Sequence, residues 1–210
     1  MRFRILNKDA LYDVREANKI TQGIMLHPDD ERPVYRQDTT EWWINQIMTG
    51  HSTLRGIRFR MIAEAPRSVV MQIIRATKEH PQPEVESSRP DWTGKERSSD
   101  PYEKKLFMQD HTVWSFIEMA KQRLCTRTET NTRKFMMDAV EELKKSDEPF
   151  FQALGYCCHP SCWWMNRCPE VRSCGQKPRI ADEVIRMYRA ANDTPLYSKE
   201  EEAEIAGDRR

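Results

Sequence analysis

Two consecutive stretches decide the fold class: Ile57-Arg58-Phe59-Arg60-Met61-Ile62-Ala63, then Pro66-Arg67-Ser68-Val69-Val70-Met71-Gln72-Ile73-Ile74-Arg75. In the first, Ile57, Phe59 and Met61 point one way, and Arg58 and Arg60 the other. That period of two predicts a half-buried strand. In the second, Val69, Val70, Ile73 and Ile74 recur at helical spacing, and Pro66 sits where a helix favours proline. Gln72 and Arg75 are three apart, so both leave the same side of that helix.

Upstream, Phe3 and Ile5 alternate within residues 1–10 and predict a first strand. Residues 11–38 read as irregular, broken by His27-Pro28-Asp29-Asp30 and Pro33. Thr39 or Thr40 caps a helix that runs to Met48 and stops before Gly50. Its apolar face carries Trp43, Ile44, Ile47 and Met48.

Downstream, residues 76–103 hold four prolines before Tyr102 and no apolar periodicity, which predicts a long loop. A helix is expected from about Glu103 to Leu124, with Leu106, Val113, Phe116, Ile117 and Ala120 along it. A second covers Glu129 to Lys145, with Phe135, Met136, Ala139, Val140 and Leu143 inward. Residues 146–178 read as irregular and rich in Cys, Trp and Pro, and Ile180 to Ala191 as a last helix. The charged tail from Ser198 is expected to fray. Strands and helices that do not alternate argue for an α+β fold. The expected organisation is a main domain over 1–146, a Cys/Trp-rich segment over 147–178, and a terminal helix with charged tail over 179–210.

Composition narrows the function. Charged residues make up 32% and apolar residues 38%, a globular profile. No run approaches the 20 or so apolar residues of a membrane span, and no signal peptide is recognisable, so a cytoplasmic protein is the expectation. With 34 basic and 33 acidic residues, the net charge of +1 lacks the basic excess of a duplex-binding protein.

Local basic clusters still suit one small anion. Arg75 and Arg89 flank the loop, Ser87 and Ser88 add hydroxyls beside Arg89, and Arg123 ends the next helix. Arginine presents a planar, permanently charged fork that matches phosphate oxygens. By local composition alone the plainer alternative is a solvated loop with ion pairs to Glu79, Glu84 and Glu86.

The order of motifs alters that balance. Gly50-His51-Ser52-Thr53, the strand after it, Gln72-Ile73-Ile74-Arg75, and Ser87-Ser88-Arg89 resemble the flavin-dependent thymidylate synthases (ThyX). Ser115 to Arg133, with Arg123 and the polar run from Thr126, resembles that family's later helix pair. The resemblance spans residues 1–145 and implies a ThyX-like antiparallel sheet flanked by long helices. It implies a homotetramer whose active sites are shared between subunits. It also implies binding of FAD, dUMP and methylenetetrahydrofolate, with NADPH as reductant, to form dTMP. Under it, Gln72, Arg75, Ser87, Ser88, Arg89 and Arg123 hold the pyrimidine nucleotide. His51, Thr53, Arg75 and a loop glutamate serve the flavin; that glutamate falls on Glu84 or Glu86, and we assign it to Glu86. Arg123 beneath the pyrimidine carbonyls takes the catalytic role, favouring negative charge on the ring as C5 becomes nucleophilic.

The departures fall mainly on the flavin side. The family's Arg-His-Arg is here Arg75-Ala76-Thr77, with Lys78 or His80 as the nearby substitutes. The loop to Arg89 is about two residues longer, and Gly56 stands where a glutamate is usual. A nucleotide-binding protein without flavin chemistry, a sensor or sponge, is therefore the second reading.

Cys158, Cys162, Cys168 and Cys174 supply enough thiols for a structural zinc site, but their spacing is not the paired arrangement of zinc ribbons. The alternative is a set of buried thiols packed with Trp163 and Trp164. A zinc-bearing nucleic-acid module is the third reading, disfavoured by the balanced charge. Trp92, just beyond Arg89, is the best candidate for stacking on a base.

Overall fold

The computed structural model describes residues 1–21, 23, 39–76 and 83–193. The chain divides into two compact units, Met1–Pro160 and Ser161–Arg210. Lys78, His80, most of residues 22–38 and the tail from Ser198 lie outside the described residues.

The first unit is built on a four-stranded sheet in the order β1-β2-β4-β3, each neighbouring pair antiparallel. These strands are β1 (Arg2–Ile5), β2 (Arg58–Pro66), β3 (Glu84–Val85) and β4 (Lys104–Thr112). Its helices are α1 (Asp9–Thr21), α2 (Thr40–Met48), α3 (Arg67–Ala76), α4 (Pro90–Thr93), α5 (Val113–Arg123), α6 (Thr130–Lys144) and α7 (Pro149–Cys157). The chain is thus α+β, with an antiparallel sheet. Among the described residues no helix is long and apolar enough to cross a membrane.

The period of two in β2 has the expected consequence. Phe59, Met61, Ala63 and Ala65 are buried, while Arg58 and Glu64 are exposed. Each large apolar side chain so buried contributes about 1.5–3 kcal/mol. Phe59 lies within 5.6 Å of Phe151 and 5.5 Å of Phe116, ring centre to ring centre, and Phe3 of β1 joins them at 6.0 Å from Phe116. α3 follows β2 without a loop and buries Val69, Val70 and Ile73, with Ala76 rather than Ile74 completing the stripe. α6 buries all five residues expected of it, and Glu129 caps it by accepting from the Asn131 and Thr132 amides. Thr39 caps α2, which turns at Gly50 in the left-handed region (φ 72°).

Four expectations need correction. Residues 104–112 are strand, and only Val113–Arg123 is helix. β4 buries Lys105, Phe107, Gln109 and His111 and leaves Leu106 about half exposed. Polar residues on the buried side and apolar ones on the open side conceal its period of two. The capping box of Thr112 with Ser115 then starts α5. Residues 76–103 are not all loop, because β3 pairs with β4 and α4 follows. Asp9–Thr21 is helix, not irregular chain. Within 146–178, α7 is a regular helix opened by Pro149, packed on α2 and α6.

The second unit contains α8 (Ser161–Met165) and α9 (Ile180–Asp193). Cys168 and Arg179 form a bridge that closes the intervening loop, and Arg167 pairs with Glu183 of α9 at 2.8 Å.

Candidate functional site

α3 packs against β2 and β4 and α5 against β4, and the contact between the two helices brings two expected site residues together. The Arg123 guanidinium donates from Nη2 to the Gln72 carbonyl at 2.7 Å. Its Nε is buried and has no hydrogen-bond partner among the described residues. Burial lowers the Arg123 pKa from its ordinary value, although an arginine stays charged at any neutral pH. A partly buried cation fixed by one neutral carbonyl, with a further N–H unused, suits a ligand that brings negative charge or carbonyl oxygens. Arg75 stands one turn beyond Gln72 at the end of α3, exposed.

Ser87, Ser88 and Arg89 follow β3 down the edge of the sheet. Glu86 fixes the start of this segment: its amide donates to the Leu106 carbonyl, and its carboxylate accepts from the Leu106 amide and from Lys95 at 2.6 Å. The Lys95 hydrogen bond, helped by the Leu106 amide, holds the Glu86 pKa below the usual carboxylate range. Both carboxylate oxygens are thus engaged inside the chain. The Ser87 hydroxyl accepts from the Arg89 amide at 3.1 Å, and Ser88 is exposed.

The Arg89 fork is already occupied. It donates to both carboxylate oxygens of Asp91, at 3.2 and 2.6 Å, and lies 4.7 Å over the ring of Trp92. Sequence reading selected Arg89 and Trp92 but not Asp91, whose position two residues on was the available signal. The pair is more than half exposed, so its own worth is small, about 0–1 kcal/mol. A phosphate approaching Arg89 must displace the Asp91 carboxylate. Asp91→Asn is therefore expected to raise affinity for a nucleotide phosphate about two- to fivefold while shifting stability by less than about 0.5 kcal/mol. Titration calorimetry with dUMP and a denaturant melt read the two effects.

His51 and Thr53 lie elsewhere. They belong to a short 3-10 turn, Ser52–Gly56, that leads into the first residue of β2. His51 is exposed at the head of that turn and its imidazole caps nothing, while the Thr53 hydroxyl donates to the Asn18 side-chain oxygen at 3.3 Å. Gly50 and Arg55 line a cleft of about 580 Å³ together with Thr112 and Trp114. This is the end of the sheet where Arg58 pairs with Thr112. Glu86 is level with Leu106, six residues back along β4, or about 20 Å at 3.3 Å per residue. Within one chain the hydrogen bond from Arg123 to Gln72 is what joins expected site residues across the fold, with Arg75 one turn further along α3. Glu86 to Arg89 lie along the sheet edge, and His51 and Thr53 stand at the opposite end.

The cysteines divide as well. Cys157 and Cys158 are buried in the first unit. Burial pushes the Cys157 thiol up to about 12 and the Cys158 thiol higher still. Cys168 is buried in the second unit, with Cys162 half-buried and Cys174 exposed. Among the described residues no group of three or more His, Cys, Asp or Glu is placed to hold a metal ion. The zinc expectation for Cys158, Cys162, Cys168 and Cys174 finds no assembled ligand set.

Compared with protein families and with curated proteins, the chain matches no family model and no curated relative.

Proposed function

We propose that the protein binds a pyrimidine deoxynucleotide such as dUMP and methylates or hydroxymethylates it at C5 in a ThyX-like, FAD-dependent reaction. The observation that carries this reading is the Arg123–Gln72 contact. It joins two residues 51 positions apart in sequence that the resemblance assigns to one ligand. It leaves a buried guanidinium N–H with no hydrogen-bond partner among the described residues.

The nucleotide-side residues fit such a ligand. Arg123 would meet the pyrimidine carbonyls and stabilise negative charge on the ring, and Arg75, with Arg89 once freed from Asp91, would meet the phosphate. Ser87 and Ser88 would add hydroxyl donors. The flavin-side residues fit only as contributions to separate sites, since His51 and Thr53 stand some 20 Å along the sheet from Glu86. A homotetramer with shared sites accommodates that division: one protomer's His51 and Thr53 would serve the flavin beside its partner's nucleotide. Bound FAD would supply the redox chemistry, with methylenetetrahydrofolate as carbon donor and NADPH as reductant, while this chain's residues bind, orient and polarise.

The second reading, a sensor or sponge without turnover, rests on Ala76, Thr77 and Gly56, where the flavin-side pattern is missing. Two measurements separate them. Purified protein soaked with FAD is expected to retain flavin absorbance and, with dUMP, methylenetetrahydrofolate and NADPH, to form a C5-substituted product. Protein that binds dUMP but retains no flavin is the sponge.

A further inference from the structure

α9 lies outside the region of resemblance and has a surface the proposed reaction does not use. At 100° per residue, Ile180, Ala181, Val184, Ile185, Met187 and Tyr188 fall on one arc of the helix. Asp182, Glu183, Arg186 and Arg189 fall on the other. A helix so segregated ordinarily buries its apolar arc. Here Val184, Ile185, Met187 and Tyr188 are 56%, 45%, 64% and 68% exposed. On the polar arc, Glu183 pairs with Arg167 of the same unit.

We propose that this face docks against the same face of a second copy of the chain, with the two α9 helices antiparallel. The charges choose this occupant. Asp182 and Arg189 are seven residues apart, two turns, and so border the apolar arc on the same flank. In an antiparallel pair centred between Ile185 and Arg186, Asp182 of each helix meets Arg189 of the other, twice by symmetry. Asp182's own contact is a long one, 3.6 Å to Arg179, with its side chain 63% exposed. A membrane surface is the poorer occupant. Amphipathic helices that bind anionic lipid carry a basic excess on the polar face, whereas this one carries Asp182 and Glu183 against Arg186 and Arg189. Fourteen residues span about 21 Å, so the pair is smaller than a standard interface and binds weakly by itself.

Sedimentation velocity of the full chain over a range of concentrations tests the pairing, with circular dichroism to verify that variants keep their helix. Val184→Glu is expected to weaken concentration-dependent association about tenfold or more, because it places a charge in the buried arc. Asp182→Arg and Arg189→Asp each set like charges opposite one another and should weaken it by a similar factor, whereas the double exchange restores association to within about threefold of the parent. Association unchanged by Val184→Glu, or a double exchange no better than either single variant, overturns the proposal. So does a parent that stays monomeric at every concentration, or liposome binding in its place.

Discussion

His111→Leu is expected to make the protein markedly more resistant to acid than its parent. His111 is 1% exposed, stacked on Phe59 at 5.7 Å and edge-on to Phe116 at 5.3 Å, and neither ring nitrogen has a hydrogen-bond partner among the described residues. Burial lowers its pKa from 6.5 to about 3, against a smaller opposing pull from the Asp110 carboxylate. Above pH 6.5 the imidazole is neutral folded and unfolded, and no proton separates the two states. Between 6.5 and 3 only the unfolded chain takes up a proton, so stability falls as pH falls, by up to about 1.4 kcal/mol per unit. Below 3 both states are protonated and the slope ends.

The parent should therefore lose about 2 kcal/mol relative to His111→Leu between pH 7.5 and 5, a window in which carboxylates remain ionised. His159 is also held below its ordinary pKa by partial burial, but it is present in both proteins and cancels in the difference. Urea denaturation at several pH values measures it. Parallel pH profiles for the two proteins would show that His111 does not stay neutral in the fold.

Gly155→Val is expected to cost about 3 kcal/mol or more, the upper range for overpacking a tight contact. A Cβ at Gly155 would lie 2.8 Å from the Lys144 amide nitrogen, 2.9 Å from its Cγ and 3.1 Å from the Leu143 Cβ. The nearest obstacle is backbone of α6, which no side-chain rotation removes. α7 would have to shift, disturbing Phe150 and Phe151 beneath the sheet and the Gln152 hydrogen bonds to Thr40 and the Lys144 carbonyl. The helix preference for a side chain over glycine recovers at most about 1 kcal/mol. Thermal melts and far-ultraviolet circular dichroism read the loss; an unchanged melting temperature would mean that α6 and α7 do not approach this closely.

Both sites lie where the sequence was hard to read, for related reasons. β2 and α3 were legible because Phe59, Met61, Val69, Val70 and Ile73 follow one template each. β4 was not, because burial at Lys105, Gln109 and His111 is achieved by context rather than by apolar side chains. Lys105, for instance, enters the interior with Glu103 at 2.8 Å. Leu106, on the open face, then joined Val113, Phe116 and Ile117 in an apparent helical stripe that merged strand and helix. α7 was hidden by the Pro, Cys and Trp content of its surroundings, although Pro149 is a regular helix opener.

The candidate site divides in the same way. Residue type and order selected Gln72, Arg75, Arg89 and Arg123. Pairing between α3 and α5 is a tertiary property with no local signal, as is the separation of His51 and Thr53 from the sheet edge. Asp91 escaped because a carboxylate near an arginine cluster reads as ordinary surface charge.

We propose that Arg123 helps to hold a pyrimidine nucleotide. Titration calorimetry of dUMP into the parent and into Arg123→Ala tests it most directly. Saturable binding by the parent is expected, with a loss of about 1–3 kcal/mol, roughly five- to 150-fold in affinity, on removing the guanidinium. A parent that does not bind dUMP, or an Arg123→Ala variant that binds it as the parent does, would contradict it.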